Sequence, residues 1–293
     1  MSPTIKALLL SARPKTLWAA AAPVIMGTAI AHTDAGINWL VTAATLTCAI
    51  LIQVGTNYAN DYYDFVKGID TTDRVGPTRA TAAGLVSPRQ MKAAFIATFA
   101  AAALMGCYLI YKGGWPIAVI GIVSIACGVL YTAGPFPLGY LGFGDLFVLV
   151  FFGPVSVGGT YYLQTGQITP TAIIAGLAPG LISTAILTVN NFRDYHTDSR
   201  TGKRTLVVRF GRRFGKVEYI ACLLGACAIA LGLTLAHWGH FWANLSLLTL
   251  AAAYKPVRAV LTEARPEILN RTLAQTGLLL LIYSVLFSVG WLL

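Results

Sequence analysis

The sequence predicts an all-α, polytopic membrane protein, and three observations carry that prediction. The 293 residues are 56% hydrophobic and only 11% charged, with a mean hydropathy of +0.69. A soluble domain carries roughly 25% charged residues. The apolar residues also gather in long runs, each close to the ~20 residues that a bilayer-spanning helix needs. Finally, the basic residues are not scattered but fall in alternate connections between those runs.

Nine spans follow, at 17–33, 40–60, 92–111, 115–132, 145–164, 169–191, 217–236, 242–260 and 272–292. The segment before the first has too short an apolar stretch for a cleavable signal and is expected to stay in the mature chain. The second span runs into a polar stretch rich in Asn and Asp, and so does the sixth. Their connections, 61–91 and 192–216, are long; the others are short and imply antiparallel neighbours. The fifth span follows an uncharged connection, 134–144, rich in Gly, Pro and aromatic residues. Trp39, Trp115, Trp238 and Trp242 stand near the other ends, as an aromatic belt would. With the N-terminus in the cytoplasm, all of the 21 basic residues except Lys112 fall on the cytoplasmic side. A wrong helix count would scramble that separation. The expected organisation is one transmembrane domain over 1–293.

The net charge of +10 is thus a matter of topology and anionic substrates; no nucleic-acid motif accompanies it. Cys48, Cys107, Cys127, Cys222 and Cys227 lie inside apolar segments and form no CxxC. They read as small buried hydrophobes, neither a disulfide set nor a zinc site.

Two clusters carry the chemistry. The first is NYANDYYDFVKGIDTTDRVGPTR, Asn57 to Arg79. If the second helix continues through it, Asn57 and Asp61, Asn60 and Asp64, and Asp61 and Asp64 share one face. Gly68 then ends the helix, and Asp70 and Asp73 follow in the loop. Carboxylates so close repel unless a cation lies between them. Mg²⁺ suits them, because it binds one or two carboxylates together with substrate phosphates. The second cluster, NNFRDYHTDSRTGKRTL, spaces Asn190, Asp194 and Asp198 as one helical stripe, with Arg200, Lys203 and Arg204 directly after. Acid followed by base suits a magnesium–diphosphate complex: carboxylates for the metal, Lys and Arg for phosphate oxygens. Solvated charges at a membrane surface explain one cluster equally well. They explain two less easily, since six of the eleven acidic residues sit in these two loops.

Asp145 stands alone at the start of the fifth span, either as a functional carboxylate or as a helix cap. Tyr131 and Tyr140 flank its loop and could face a cation, or simply pack. His196 reads as a neighbour of the second cluster rather than a ligand.

At these clusters the chain resembles the UbiA superfamily of intramembrane aromatic prenyltransferases. The family's NDxxDxxxD motif appears as Asn60-Asp61, Asp64 and, displaced, Asp70; its DxxxD motif appears as Asp194 and Asp198. Gly68 stands where the common form has an aspartate, so the third role of the first motif passes to Asp70 or Asp73. The runs NDYYDFVKGIDTTDRVGPTR, ARPKTLW and GFGDLFVLVFFGPV resemble the branch that prenylates 1,4-dihydroxy-2-naphthoate for menaquinone synthesis.

The resemblance covers the whole chain and implies a UbiA-type bundle with a cytoplasmic active site. It implies that Asp61, Asp64, Asp70, Asp194 and Asp198 hold Mg²⁺ and, with it, a polyprenyl diphosphate. Lys203, Arg204, Lys67 and Arg79 would neutralise the leaving group, flanked by Asn57, Asn60 and Asn190. Asp145, Tyr131 and Tyr140 become candidates for the acceptor's surroundings, and the prenyl tail would face the lipid bilayer. Two alternatives remain: another aromatic acceptor, such as 4-hydroxybenzoate or homogentisate, and a transporter. A transporter would carry ionisable residues at mid-membrane depth, and the expectation here is that none stands mid-helix.

Overall fold

The computed structural model describes residues 2–69, 76 and 79–293. Asp70 and Asp73 lie outside the described residues. Those described form helices and connections with no strand among them. In order, they are α1 (Pro3–Ser11), α2 (Trp18–Ala35), α3 (Trp39–Val66), α4 (Pro88–Gly113), α5 (Trp115–Leu130), α6 (Gly144–Val150), α7 (Ser156–Thr165), α8 (Pro170–Arg193), α9 (Tyr195–Arg200), α10 (Leu206–Ala236), α11 (Thr249–Thr262) and α12 (Pro266–Leu292).

Among the described residues, six continuous helical stretches are long and apolar enough to cross a membrane: α3, α4, α6 through α7, α8, α10 and α12. The chain is a multi-pass membrane protein. The remaining predicted spans correspond to α2, to the shorter α5, and to a 3₁₀ segment, Trp238–Leu248, that leads into α11.

Local sequence sets the boundaries. Asn38, Ser87, Thr169 and Thr205 each accept a backbone N–H from the first turn of α3, α4, α8 and α10, a cap worth about 1 kcal/mol. Gly68, at φ +68°, takes the left-handed conformation that stops α3 two residues past its end. Threonine hydroxyls inside the bundle turn back on their own helix: Thr184 bonds the Gly180 carbonyl and Thr188 the Thr184 carbonyl. That satisfies them where no water is at hand.

Two departures from expectation concern boundaries. The seventh helix begins at Leu206 rather than 217. Its first turns are basic and amphipathic, and they bend at Gly211, φ +84°. The fifth span is broken at Phe151–Val155, a single π-type turn in which Gly153 is non-helical and Pro154 has no N–H to donate.

Helix α8 is the central post, packing against α2, α6, α10 and α12. Helices α3, α4 and α5 pack on one another and join the rest through contacts of α3 with α1, α2 and α7 and of α4 with α7. The close approach of α8 to the broken helix depends on missing side chains: a Cβ at Gly176 would lie 2.8 Å from Pro154 Cα, and one at Gly153 would lie 2.7 Å from the Gly176 carbonyl oxygen. Between the two groups of helices lies a cavity of about 870 Å³, lined on α3 from Thr45 to Asp64. At 1.5 Å per residue it runs roughly 28 Å along that helix, close to the thickness of a bilayer's hydrocarbon core.

Candidate active site

The polar end of this cavity is built from both acidic clusters. Helix α3 continues through the first cluster as far as Val66, which carries Asn57, Asn60, Asp61 and Asp64 to the cavity wall on one face. Helix α8 brings Asn190, Asn191 and Arg193. It then breaks: Asp194 (φ −88°, ψ 6°) caps it, and α9 restarts with Tyr195. The predicted single stripe through Asn190, Asp194 and Asp198 is therefore two short stretches, yet all three residues still line the cavity.

Each carboxylate has its own surroundings. Asp64 is buried, and its Oδ2 is 2.8 Å from Arg79 Nη2 and 3.9 Å from Lys203 Nζ. Its Oδ1 accepts from the Tyr140 hydroxyl. Asp194 takes a two-pronged pair from Arg193, Nε at 2.8 Å and Nη2 at 2.6 Å. The same guanidinium donates to Asn190 Oδ1 and Asn270 Oδ1, both at 2.7 Å. Asp61 differs. Its Oδ2 accepts from Ser11 Oγ at 3.2 Å and Ala80 N at 3.1 Å, and its Oδ1 accepts from Thr81 N at 3.1 Å. It pins the N-terminal helix and the 79–81 segment to α3. Asp198 is buried at the cavity wall.

The connection after α5 closes over this end. Thr132 Oγ1 donates to Asn60 Oδ1 at 2.6 Å. The Tyr140 ring lies under two ammonium groups, Lys203 at 4.7 Å and Lys67 at 5.2 Å from its centroid. Lys67 Nζ donates to the Thr132 and Gly134 carbonyls at 2.6 and 2.9 Å. Burial holds its pKa below the ordinary lysine value; Asp64 opposes that shift and Lys203 adds to it. Arg204 N bonds the Tyr140 carbonyl oxygen at 2.7 Å, tying the second cluster's loop to the same connection.

Of the sequence candidates, Asn57, Asn60, Asp61, Asp64, Arg79, Tyr131, Tyr140, Asn190, Asp194, Asp198 and Lys203 all border the cavity. Lys67 and Arg204 lie beside it, both exposed to solvent. Asp145 is buried at the start of α6, behind the cavity wall rather than on it. Nor are mid-helix carboxylates absent: Glu218, inside α10, is half-buried and accepts from Thr188 Oγ1 at 3.1 Å. It too stands off the cavity. Residues that sequence reasoning had not singled out are Arg13, Arg193, Asn191 and Asn270. The two arginines had been counted only as markers of topology.

Whether these residues suit Mg²⁺ turns on their donors. They are carboxylate and amide oxygens, hard ligands of the kind the ion takes. Among the described residues no three acidic, His or Cys side chains are gathered into a cage, and Asp64 and Asp194 face cations instead. The set fits an ion whose remaining ligands arrive as substrate phosphates.

A family model, the UbiA prenyltransferase family, matches residues 20–281. The chain belongs to the UbiA family. Several relatives bear the name 1,4-dihydroxy-2-naphthoate octaprenyltransferase. That of Escherichia coli is 39% identical over 97% of this chain and 94% of its own length. That of Haemophilus influenzae is 38% identical over 96% and 94%, and that of Mycobacterium tuberculosis 38% over 94% and 92%. Solved UbiA homologues share the fold. One from Aeropyrum pernix superposes with a TM-score of 0.68 at 16% identity, over 94% of this chain and 97% of its own. One from Archaeoglobus fulgidus, bound to DMAPP and Mg²⁺, gives 0.60 at 15% identity over 98% and 100%.

Proposed function

We propose that this UbiA-family protein transfers a polyprenyl group from polyprenyl diphosphate to 1,4-dihydroxy-2-naphthoate with decarboxylation, giving demethylmenaquinol for menaquinone synthesis. One observation carries the chemistry: two acidic clusters far apart in sequence share one end of a long apolar cavity, with Arg79, Lys203 and Arg193 among their carboxylates. The relatives' shared name supports the choice of acceptor.

In this reading Asp64, Asp194 and Asp198 would hold Mg²⁺, with Asp61 and the loop aspartate Asp70 or Asp73 supporting them. The ion would draw charge from the diphosphate as it leaves. Lys203 and Arg79, held by Asp64 until the donor enters, turn to the phosphate oxygens; Lys67 and Arg204 add positive charge beside them. Asn57, Asn60 and Asn190 order the same wall. The bond between the prenyl C1 and the diphosphate oxygen breaks, leaving an allylic cation. Tyr131 and Tyr140 offer ring faces to it, and the apolar walls keep water away. The naphthoate ring carbon bearing the carboxylate attacks the cation; carbon dioxide then leaves that carbon and its electron pair restores the ring. The apolar length of the cavity takes the prenyl tail. Charge stabilisation of the leaving group is the largest contribution asked of the protein. Asp145 stands behind the cavity wall and would act only through Tyr131 and its connection.

The same reading gives one transmembrane domain with nine crossings: α2 to α5, α6 with α7, α8, α10, residues 238–262, and α12. The N-terminus and the active site would face the cytoplasm, in the cytoplasmic (inner) cell membrane. The segregation of basic residues supports that orientation.

Product analysis on purified protein tests the proposal. The protein in detergent receives Mg²⁺, farnesyl or geranylgeranyl diphosphate, and 1,4-dihydroxy-2-naphthoate beside 4-hydroxybenzoate. A prenylated, decarboxylated naphthoquinol that disappears with chelator is the expected result. Prenylated hydroxybenzoate instead would keep the family chemistry and overturn the acceptor. No product with any aromatic acceptor would point to a transporter.

A further inference from the structure

We propose that Gln53 and Ser124 bind a ring hydroxyl of the aromatic acceptor and so fix how far into the cavity the ring sits. The inference rests on the reading above for the acceptor's identity, and on the following geometry for the two side chains.

Helices α3 and α5 run side by side toward the acidic end in one register. Just past α5, Thr132 Oγ1 donates to Asn60 Oδ1 at 2.6 Å. One turn deeper, Gly128 lets the two helices touch, since a Cβ there would run into Thr56 Oγ1. A further turn along both helices sets Ser124 at the depth of Ile52 and Gln53. Ser124 and Gln53 both border the cavity and are both half-buried. Gln53 stands eight residues before Asp61, roughly 12 Å along the helix. It therefore belongs to the apolar length of the cavity and not to the end that handles anions.

Neither side chain has a hydrogen-bond partner among the described residues, and their polar atoms are not sealed off. Other hydroxyls of the wall turn back on their own helix: Thr45 donates to the Val41 carbonyl at 2.8 Å and Thr160 to the Ser156 carbonyl at 2.7 Å. The Gln53 amide has an acceptor and two donors to satisfy. Its neighbours in the wall, Ala49, Ile52, Gly121 and Ile125, offer no polar side chain. At membrane depth such groups must be met by what enters the cavity.

The chemistry of the two substrates decides which one meets them. The donor keeps its polar atoms in the diphosphate, which belongs among the cations. The rest of it is hydrocarbon, and packing hydrocarbon over a bare amide is costly. The acceptor carries neutral hydroxyls. Its reacting carbon, the one bearing the carboxylate, must meet the prenyl C1 near the acids. The hydroxyl farther from that carbon, at position 4, then points deeper, toward Gln53 and Ser124. An amide beside a serine can accept from that hydroxyl and donate to it at once. A few placed polar groups in a mostly apolar pocket set a ligand's orientation in this way.

Two variants of the full-length protein in detergent test the assignment. Gln53→Met keeps the length and loses the amide; Ser124→Ala loses one hydroxyl. Calorimetric titration, run anaerobically with Mg²⁺, would use three probes: 1,4-dihydroxy-2-naphthoate, 1-hydroxy-2-naphthoate, which lacks the 4-hydroxyl, and inorganic diphosphate. The parent should prefer the dihydroxy compound by about tenfold, one hydrogen-bonded hydroxyl's worth. Gln53→Met should reduce that preference to about twofold, because the two deletions remove one shared contact. It should bind diphosphate as the parent does and melt no lower. Ser124→Ala should lose a smaller part of the preference. The assignment is overturned if both variants keep the parent's preference, or if the parent has none. It is equally overturned if Gln53→Met weakens all three probes alike and melts lower, since that is the mark of a structural residue. A parent that prenylates the dihydroxynaphthoate while its variants keep the preference sinks this inference alone. A parent that binds diphosphate and neither naphthoate sinks the functional reading with it.

Discussion

Asp64 offers the sharpest test of how the site is balanced before substrate enters. Asparagine at this position keeps the shape and the acceptor for Tyr140 but removes the charge. In the ligand-free protein that charge faces Arg79 at 2.8 Å and Lys203 at 3.9 Å, with Asp64 almost wholly buried. At an effective dielectric of about 20 those contacts are worth about 6 and about 4 kcal/mol gross. Most of this offsets the cost of removing three charges from water. What Asp64→Asn loses is the compensation, about 3–5 kcal/mol, because two cations are left crowded together without a counter-ion. Thermal unfolding in detergent, followed by tryptophan fluorescence, measures the loss. A double variant, Asp64→Asn with Arg79→Gln, should win back part of it, since the second change removes one of the stranded charges. In the same preparations, prenyl transfer should fall roughly 10²- to 10³-fold, as expected when a charge that stabilises the leaving group is lost. An Asp64→Asn protein as stable as the parent, or a double variant less stable than either single one, would refute the reasoning.

Three further outcomes follow from the same geometry. Chelator should leave the melting midpoint of the ligand-free protein unchanged, because Asp64 and Asp194 are already paired with cations; Mg²⁺ should stabilise only with diphosphate present, by about 2.7 kcal/mol at a hundredfold excess over Kd. Tyr140→Phe removes the hydroxyl that donates to Asp64 and keeps the ring under Lys203 and Lys67. It should cost roughly 1.5–3 kcal/mol, and Tyr140→Ala measurably more in the same melt, since the cation–ring contacts go too. Gly180→Ala would put a Cβ against the Leu149 carbonyl oxygen and 3.1 Å from Gly153 Cα; a loss of about 1–3 kcal/mol is expected, read as a lower yield of folded protein and a lower melting midpoint.

Hydropathy located the apolar lengths of α4 and α12 and left out their polar first turns, which carry Arg89 in the one and Glu267 and Arg271 in the other. It failed at the start of α10, where Arg209, Arg212 and Arg213 belong to helical turns that no average over apolar residues can register. It also missed the π turn at Phe151–Val155, because a break bridged by apolar residues leaves mean hydropathy unchanged. Both acidic clusters were legible from spacing, and all of their described carboxylates line one cavity. Their division of labour was not legible. Asp61 and Asp64 stand three residues apart in the sequence, yet one fastens backbone N–H groups and the other balances cations. Arg13 and Arg193 were hidden for a different reason: the positive-inside pattern accounts for any basic residue at a cytoplasmic end, so a functional one carries no extra mark. Asp145 was legible only as an open alternative, since a lone acid at a helix start looks the same whether it faces a cavity or the back of its wall.

Helices α4 and α8 have the same mean hydropathy over their most apolar windows, 2.0, yet 22% of the one and 72% of the other is buried inside the protein. A lipid tail accepts almost any apolar outline; a neighbouring helix at the distance set by Gly176 and Gly180 accepts very few. Chance substitutions that keep the chain oily should therefore drift freely along α4 and be rejected along α8. Over long descent the outer helices of this bundle would come to differ in sequence while its middle stayed nearly fixed, and the record of mutational tolerance would trace the inside of the molecule where hydropathy traces only the membrane.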